Sequence, residues 1–318
     1  MLGANKKKSN RCSKKRFFYI KDIDSHYIIQ LFCLLQIKIK HKPFFKYSEV
    51  NEYGLNNKER NPKVIVTLTS FPDRIPTLHK TITTLLKQTF KPDKLILWLA
   101  DSQFPNKEND LTQELLNLKQ YGLEIRWCED LRSYKKLIPT LQEYPNDILV
   151  TADDDIYYPA DWLESLYRTY EKNPNCIITR RFSEIFNENG NFKVTPINNP
   201  YEKYSLKSSY LYQQVGCGGC LYPPNSLHKD ILDIEAIKTL IPTHDDIYFW
   251  AMSVLNHKKI AIVTDYNTNV ECVEDTQQFG LCKKNKENGA GMNSAVAYER
   301  ILAKYPECMK IIEEEENA

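Results

Sequence analysis

Between residues 63 and 182, short apolar runs alternate with longer segments of helical periodicity. The runs at 64–69, 95–99, 123–128, 148–151 and 176–179 predict buried strands. Ile75, Leu78 and Ile82 recur at helical intervals and predict an amphipathic helix, and further helices are predicted over 108–120, 134–143 and 160–172. This alternation is typical of βαβ units. The pattern therefore predicts an α/β fold with a mostly parallel, Rossmann-like sheet flanked by helices.

The rest of the chain is patterned less regularly. Helices are predicted over 244–256 and 293–305, with a strand at 260–263, so residues 61–182 and 183–310 form two halves of one predicted domain. Residues 311–318 are predicted to be a solvated acidic tail. Residues 1–60 are predicted to be an extension that ends in a polar linker over 50–62. Its apolar positions from Phe17 to Leu35 have near-helical spacing, which predicts a helix that either lies on anionic lipid or packs on the main domain.

Composition places the chain among ordinary globular proteins. Apolar residues make up 42% and charged residues 26% of the 318 residues. Net charge is +2, but residues 1–16 carry seven Lys and Arg and no acid, which leaves −5 for the remainder. The acidic body argues against a nucleic-acid partner. The basic segment is either a solvated arm or a segment drawn to anionic surfaces, including the membrane surface.

The cysteines and the apolar stretches bear on location. Nine cysteines without regular spacing indicate free thiols in a reducing compartment, and the Cys217–Cys220 pair lacks the second pair that a zinc site would need. No apolar run approaches the roughly 20 residues of a membrane span. Asp22 and Asp24 interrupt what would be the core of a signal peptide. We therefore expect a cytoplasmic protein, with peripheral contact at the inner membrane face through residues 1–45.

Polar side chains follow four of the predicted strands. Right-handed crossovers bring the carboxyl ends of parallel strands to one edge, where open α/β sheets bind ligands. At that edge the sequence places four clusters, which are Thr69 with Phe71 and Arg74, then Asp101, then Asp130, and then Asp153 to Asp155. Phe71 is suited to stack on a base, and Arg74 to hold a phosphate or to orient its loop.

The run Asp153-Asp154-Asp155 is the most specific of these clusters. Three adjacent carboxylates repel one another unless a cation neutralises them. In an extended segment Asp153 and Asp155 point to the same side, and two oxygen donors with open positions suit Mg²⁺ or Mn²⁺. The alternative is a solvated acidic turn.

A second acidic pair, Asp245-Asp246, opens a predicted helix. One interpretation is that the pair complements the helix dipole. At 100° per residue, Asp246 flanks the apolar stripe of that helix and Asp245 points away from it. Asp246 is therefore the better candidate for a general base.

Glycines and lysines supply two further candidates. Gly216, Gly218 and Gly219 lie within four positions, either as a tight turn or as a loop that a ligand approaches closely. The segment lacks the pattern of a P-loop. Lys135 or Lys136 is a candidate to neutralise a diphosphate.

Four motifs in order resemble bacterial glycosyltransferases of the GT-A fold, in particular family-2-like enzymes that build surface polysaccharide and lipopolysaccharide. They are VIVTLTSFPDRI from Val64, VTADDDIYYP from Val150, GCGGCLYPP from Gly216 and HDDIYFW from His244. The resemblance covers roughly residues 62–305.

The resemblance implies a nucleotide-sugar donor, Mn²⁺ or Mg²⁺, and a glycan or lipid-linked acceptor. It implies that Asp153 and Asp155 hold the metal, and that Asp246 or Asp245 is the base of an inverting transfer. The pair is Asp-Asp where Glu-Asp is more usual, so the resemblance does not decide between the two. It assigns the nucleotide to Thr69, Phe71, Arg74, Asp101 and Asp130. On the donor side we add Lys136, Asp153 and Asp154, and we place Gly218 and Gly219 in the acceptor loop.

Two other functions fit parts of the pattern. A sugar nucleotidyltransferase would share the α/β sheet and the carboxylates, but its first-strand loop is usually rich in glycine, and residues 70–74 contain none. A non-catalytic module that binds sugar or nucleotide is the other alternative.

Overall fold

The structure is a computed structural model, and it describes residues 18–23, 26–31, 35–40, 48–188, 191–195, 207–264, 270–279 and 294–316. The chain divides into two compact units, Met1–Lys46 and Tyr47–Ala318. Among the helices of the described ranges, none combines the length and the apolar character that crossing a membrane requires.

The described residues of the first unit form three strands, β1 (Phe18–Ile23), β2 (His26–Leu31) and β3 (Leu35–Lys40), which pair as an antiparallel sheet in the order β1-β2-β3. The prediction of a helix from Phe17 to Leu35 is therefore wrong at residues 18–23, 26–31 and 35, and its other positions lie outside the described residues. Ile37 and Ile39 alternate with Lys38 and Lys40, a two-residue period that favours a strand, and the region is rich in β-branched isoleucine.

The second unit is built on a seven-stranded sheet in the order β14-β9-β13-β7-β4-β5-β6. The strands are β4 (Val64–Thr69), β5 (Lys94–Ala100), β6 (Leu123–Cys128), β7 (Ile148–Thr151), β9 (Ile177–Thr179), β13 (Cys220–Tyr222) and β14 (Ile260–Ile262). Strand β13 pairs antiparallel with both of its neighbours, and every other pairing in this sheet is parallel. Six strands therefore run in one direction, which confirms the predicted mostly parallel sheet. The sequence did not reveal β13, because its three residues follow directly on the glycine cluster.

Five further strands and eight helices complete the described part of the unit. The strands are β8 (Ile156–Tyr157), β10 (Phe182–Glu188), β11 (Asn191–Val194), β12 (Tyr212–Gln214) and β15 (Glu271–Cys272). The helices are α1 (Ile75–Leu86), α2 (Gln113–Asn117), α3 (Ile138–Glu143), α4 (Trp162–Lys172), α5 (Ile234–Leu240), α6 (Asp245–Leu255), α7 (Ser294–Lys304) and α8 (Glu307–Glu316).

Side-chain alternation along the central strands divides the core into two layers. Val64, Val66 and Leu68 of β4 belong to one buried cluster, together with side chains of α1, α2 and α4. Ile65 belongs to a second cluster on the other face, which includes side chains of α3, α5, α6, α7 and α8. Helices therefore cover both faces of the sheet, as parallel strands require, and the carboxyl ends of the strands are the edge left for polar residues.

Two boundaries differ from the prediction. Val50 and Leu55 are buried in the core of the second unit, and the Gly54 amide donates to the Tyr121 carbonyl, so the predicted linker over 50–62 is a packed part of that unit. At the other end, the predicted acidic tail forms most of α8, where Ile312 is buried. Both segments looked solvated because their few apolar residues are followed by polar runs, residues 56–62 in one segment and 313–317 in the other.

Candidate active site

The aspartate triplet lies in the turn between β7 and β8. Asp153 Oδ1 accepts a 2.8 Å hydrogen bond from Lys136 Nζ. Asp155 Oδ2 lies 2.7 Å from Arg74 Nη1 and accepts from Gln277 Nε2 at 2.9 Å. In the described residues, the second oxygen of each carboxylate has no hydrogen-bond partner. Two carboxylate oxygens therefore remain available for a ligand.

Asp154 anchors the neighbouring loop. Its Oδ2 accepts a 2.6 Å hydrogen bond from Ser70 Oγ, and its Oδ1 lies 3.4 Å from Arg74 Nη1. Burial raises the pKa of Asp154 to about 7, although the charge of Arg74 opposes the rise. The expected extended geometry is wrong, because Asp154 and Asp155 lie in a turn and share the buried Arg74. Of the two roles suggested for Arg74, its contacts are those that orient a loop.

The second acidic pair forms the first two residues of α6. The Gly216 amide donates to Asp246 Oδ2 at 3.0 Å. Asp245 Oδ1 accepts a 2.7 Å hydrogen bond from Ser133 Oγ, and its Oδ2 lies 2.9 Å from Lys136 Nζ. Asp245 is only 6% exposed, so the expectation that it points away is wrong. Every residue from Ile247 to Val254 is buried. Because this helix has no exposed face, its sequence has no apolar stripe from which the direction of Asp245 could be predicted.

The environment of Asp246 alters its acidity. Burial raises its pKa to about 7, and the nearby charge of Asp245 adds to the rise, while Lys136 opposes it. A carboxyl group with a pKa near 7 is partly ionised at neutral pH and can take up a proton there.

The triplet and the acidic pair meet around Gly216. A Cβ atom added to Gly216 would lie 2.8 Å from Lys136 Nζ, 3.0 Å from Asp246 Oδ1 and 3.5 Å from Asp153 Oδ1. The carboxylates of Asp153 and Asp246 therefore flank one methyl-sized position, although 93 positions separate them in sequence. The absence of a side chain at residue 216 is what permits this approach.

The other two glycines of the loop serve packing contacts. A Cβ on Gly218 would lie 2.7 Å from Arg181 Cγ, and the Gly218 carbonyl accepts from Trp162 Nε1 at 2.9 Å. Gly219 has φ +87°, and a Cβ there would lie 2.5 Å from the Trp162 ring. Gly216, rather than either of these two residues, contacts the acidic cluster.

The remaining predicted residues lie along the same edge of the sheet. Thr69 Oγ1 donates to the Trp98 carbonyl at 2.8 Å, and the ring of Phe71 is partly exposed, 5.8 Å from the Arg74 guanidinium. Asp130 accepts from Lys135 Nζ at 2.7 Å. Burial opposes ionisation of Asp130, but this hydrogen bond lowers its pKa. Asp101 is half exposed and forms an ion pair with Lys107.

Four residues of the cluster were not predicted. Gly216 was included only in a general loop, and Ser133, Tyr158 and Gln277 were not singled out. The Asp153 amide donates to the buried Tyr158 hydroxyl at 2.8 Å, and this tyrosine belongs to the same motif as the triplet, which is a signal that sequence offered. Nothing in the sequence marks Ser133 or Gln277, because their roles depend on chain segments that meet only in the fold.

The donor set fits a divalent cation in charge and in atom type. Two buried cations, Arg74 and Lys136, face five carboxylates at residues 153–155 and 245–246. The described residues contain no group of three or more His, Cys, Asp and Glu side chains arranged for a metal ion. Mg²⁺ sites commonly use one or two carboxylates together with substrate phosphates. Asp153 and Asp155 fit that smaller set.

A comparison with protein families decides the class. The model of "Glycosyl transferase family 2" matches residues 64–229, just over half of the chain. The chain belongs to glycosyl transferase family 2. It is therefore an enzyme, a glycosyltransferase, and the matched segment runs from β4 through the triplet and the glycine loop.

Solved structures are similar to this family 2 chain only at low identity and at TM-scores below 0.5. Residues 1–349 of S. aureus TarS give 13% identity and a TM-score of 0.46, and the match covers 77% of this chain and 71% of those TarS residues. The mannosyltransferase PcManGT from Pyrobaculum calidifontis, in complex with GDP-Man and Mn²⁺, gives 12% and 0.45, covering 85% and 76%. The inositol-1-phosphate CTP transferase from T. maritima gives 12% and 0.37, covering 71% and 97%. No curated protein matches the sequence.

Proposed function

We propose that this enzyme transfers a single sugar from a nucleotide-sugar, a UDP-sugar in the first instance, to a hydroxyl group of a glycan or lipid-linked acceptor. The transfer inverts the anomeric centre, and Asp246 is the general base. The observation that carries this proposal is the meeting of Asp153 and Asp246 around Gly216.

The contacts of the acidic pair support Asp246 as the base. Asp245 Oδ1 accepts from Ser133 Oγ, and Asp245 Oδ2 is buried and forms an ion pair with Lys136 Nζ. Asp246 Oδ1 has no hydrogen-bond partner among the described residues, since the Gly216 amide is bonded to Oδ2. A base needs an open oxygen within reach of the acceptor hydroxyl. Asp246 therefore removes the proton as that hydroxyl attacks the anomeric carbon. The charge of Asp245 helps to raise the pKa of Asp246.

The donor side of the proposal rests on the strand ends. Asp153 and Asp155 would hold Mn²⁺ or Mg²⁺, and the cation, when bound, supplies positive charge that stabilises the departing nucleotide diphosphate. Thr69, Phe71, Asp101 and Asp130 lie along the same edge and would hold the nucleoside, with Phe71 exposed enough to stack on a base.

The acceptor side includes a role for the first unit. Residues 1–46 contain twelve Lys and Arg against two Asp, a net charge of +10. Clusters of this kind bind anionic lipid headgroups. We propose that these residues hold the enzyme at the inner membrane face, where it glycosylates lipid-linked precursors of surface polysaccharide. Sedimentation with anionic liposomes, lost on deletion of residues 1–45, is the expected result, and sedimentation that survives the deletion would contradict it.

The central experiment replaces Asp246 with Asn. A thermal-shift screen of UDP-, GDP- and CMP-sugars with Mn²⁺ first identifies the donor, and release of its nucleotide then measures turnover. We expect Asp246→Asn to keep donor binding and to lose turnover by about 100-fold or more, the scale of a lost general base.

Asp233→Asn is the matched control. Asp233 also opens a helix, where its carboxylate accepts from the Ala236 amide at 2.9 Å, and it lies outside the acidic cluster. Because Asn is also a good N-cap, this variant should turn over at the wild-type rate. Full turnover by Asp246→Asn would refute the assignment of the base, and a wild type that binds no nucleotide-sugar would refute the donor class.

A further inference from the structure

A short 3₁₀ helix, Arg132–Lys136, connects several parts of the second unit. Ser133 Oγ donates to Asp245, the Tyr134 hydroxyl donates to the Ile241 carbonyl at 2.5 Å, and Lys135 Nζ donates to Asp130. Lys136 Nζ lies 2.8 Å from Asp153 and 2.9 Å from Asp245. This helix therefore contacts the end of β6, the turn after β7 and the start of α6.

Lys136 has little access to a ligand. Its side chain is 7% exposed, and its ammonium group forms ion pairs on two sides with carboxylates that come from separate chain segments. The position of a Cβ on Gly216, only 2.8 Å from Nζ, shows that the glycine loop covers a further side. An ammonium group has three N–H donors. Here one of them donates to Asp153 Oδ1, and the buried Asp245 Oδ2 forms an ion pair with Nζ at 2.9 Å without hydrogen-bond geometry.

We propose that Lys136 is a positioning residue, which fixes Asp153 on the donor side and the Asp245–Asp246 pair on the acceptor side at one separation, and that it is not a ligand of the donor diphosphate. This inference rests on the proposed function, because it assigns those two sides.

The physical reason is the cost of unpaired charge. The five carboxylates of the cluster repel one another, and removing one partner of a buried ion pair leaves the other uncompensated. Without Lys136, the start of α6 and the turn after β7 would move apart. Since a displacement of about 1 Å in a reacting group can cost about 100-fold in rate, turnover would fall while the nucleotide contacts at the strand ends remain.

The test compares Lys136→Met with Lys135→Met in the full-length chain. Lys135 is the adjacent residue and equally buried, but its ammonium is bonded to Asp130 on the nucleoside side. For each variant, calorimetry measures the Kd of UDP with Mn²⁺, and nucleotide release from the UDP-sugar found in the screen measures kcat. We expect Lys136→Met to lower kcat at least 30-fold with the UDP Kd changed less than threefold, and Lys135→Met mainly to weaken UDP binding.

A double-mutant cycle on Tm, called the thermal cycle below, tests the contact between Lys136 and Asp245 without any measurement of turnover. If Lys136 holds Asp245, the Tm losses of Lys136→Met and Asp245→Asn are not additive, and the double variant loses less than their sum. Lys136→Gln, which keeps a hydrogen-bond donor, replaces Lys136→Met if the latter does not fold.

Each other outcome overturns the inference. If Lys136→Met raises the UDP Kd tenfold or more, Lys136 is a diphosphate ligand. If kcat is unchanged or the Tm losses are additive, Lys136 does not position the two sides of the site. A wild type that releases no nucleotide from any donor is instead a failure of the proposed function, and the thermal cycle then decides the linkage alone.

Discussion

Gly216→Ala is the smallest change that tests the geometry of the acidic cluster. The new Cβ would lie 2.8 Å from Lys136 Nζ and 3.0 Å from Asp246 Oδ1, while ordinary carbon contacts are about 3.5–4.0 Å. One or both groups must therefore move by roughly half an ångström or more. Since Nζ is held by two carboxylates and Asp246 by the Gly216 amide, the movement weakens at least one charge-assisted hydrogen bond.

The expected effect is larger on turnover than on stability. A weakened hydrogen bond to a charged group costs about 1.5–3 kcal/mol at most, which thermal unfolding resolves. Displacing the proposed base by a similar distance should lower kcat by 10- to 100-fold. The assay is nucleotide release from the preferred donor with Mn²⁺, with the folded fraction measured by circular dichroism at the same temperature.

Gly54→Ala is the matched control. Its Cβ would lie 2.7 Å from both Leu86 Cδ2 and the Leu86 carbonyl oxygen, so it is equally crowded, but it lies among apolar side chains of the core rather than beside the carboxylates. We expect it to lower Tm and to leave kcat per folded molecule unchanged. Wild-type kcat in Gly216→Ala, or an equal loss of kcat in Gly54→Ala, would refute the reasoning.

Three further predictions concern pH, metal binding and α8. Because the pKa of Asp246 is raised to about 7 in the folded protein, its ionisation destabilises the fold as pH rises from about 4 to 7. In EDTA, Asp246→Asn should therefore raise Tm at pH 8, and this gain in Tm should shrink towards pH 4. A gain in Tm that does not depend on pH would contradict the prediction. Wild-type kcat/KM should fall as pH drops below 7, because this ratio reports ionisation in the free enzyme, and a pH profile of kcat/KM measures the effect. Mn²⁺ at about 100 times its Kd should stabilise the wild type by about 2.7 kcal/mol, and Asp155→Asn should remove most of the rise in Tm; an equal rise in both proteins would place the ion elsewhere. Ile312→Ala should lower the free energy of unfolding, measured in urea, by about 2–5 kcal/mol, because Ile312 is 1% exposed in the core. A loss below about 0.5 kcal/mol would instead indicate that α8 is a solvated tail.

The pattern of hydrophobic and polar positions predicted secondary structure well where buried residues recur at short intervals along the chain. The runs from Val64 and Ile148 became strands because both faces of a parallel sheet are covered and select apolar residues. It was a poor guide where burial comes from distant segments. Helix α8 carries four consecutive glutamates, yet Ile312 on one side of it reaches the core.

Sequence by itself determined the α/β class, the edge of the sheet that carries the polar residues, and the acidic motifs, because strand and helix periodicity and the identity of the charged residues are local properties. Only the tertiary structure decided that Asp245 is buried against Ser133 and Lys136, that Gly216 is the glycine beside the carboxylates, and that residues 18–23, 26–31 and 35–40 form strands. Those facts depend on which segments meet in space, and a charge held between two distant carboxylates leaves no periodic trace along the chain.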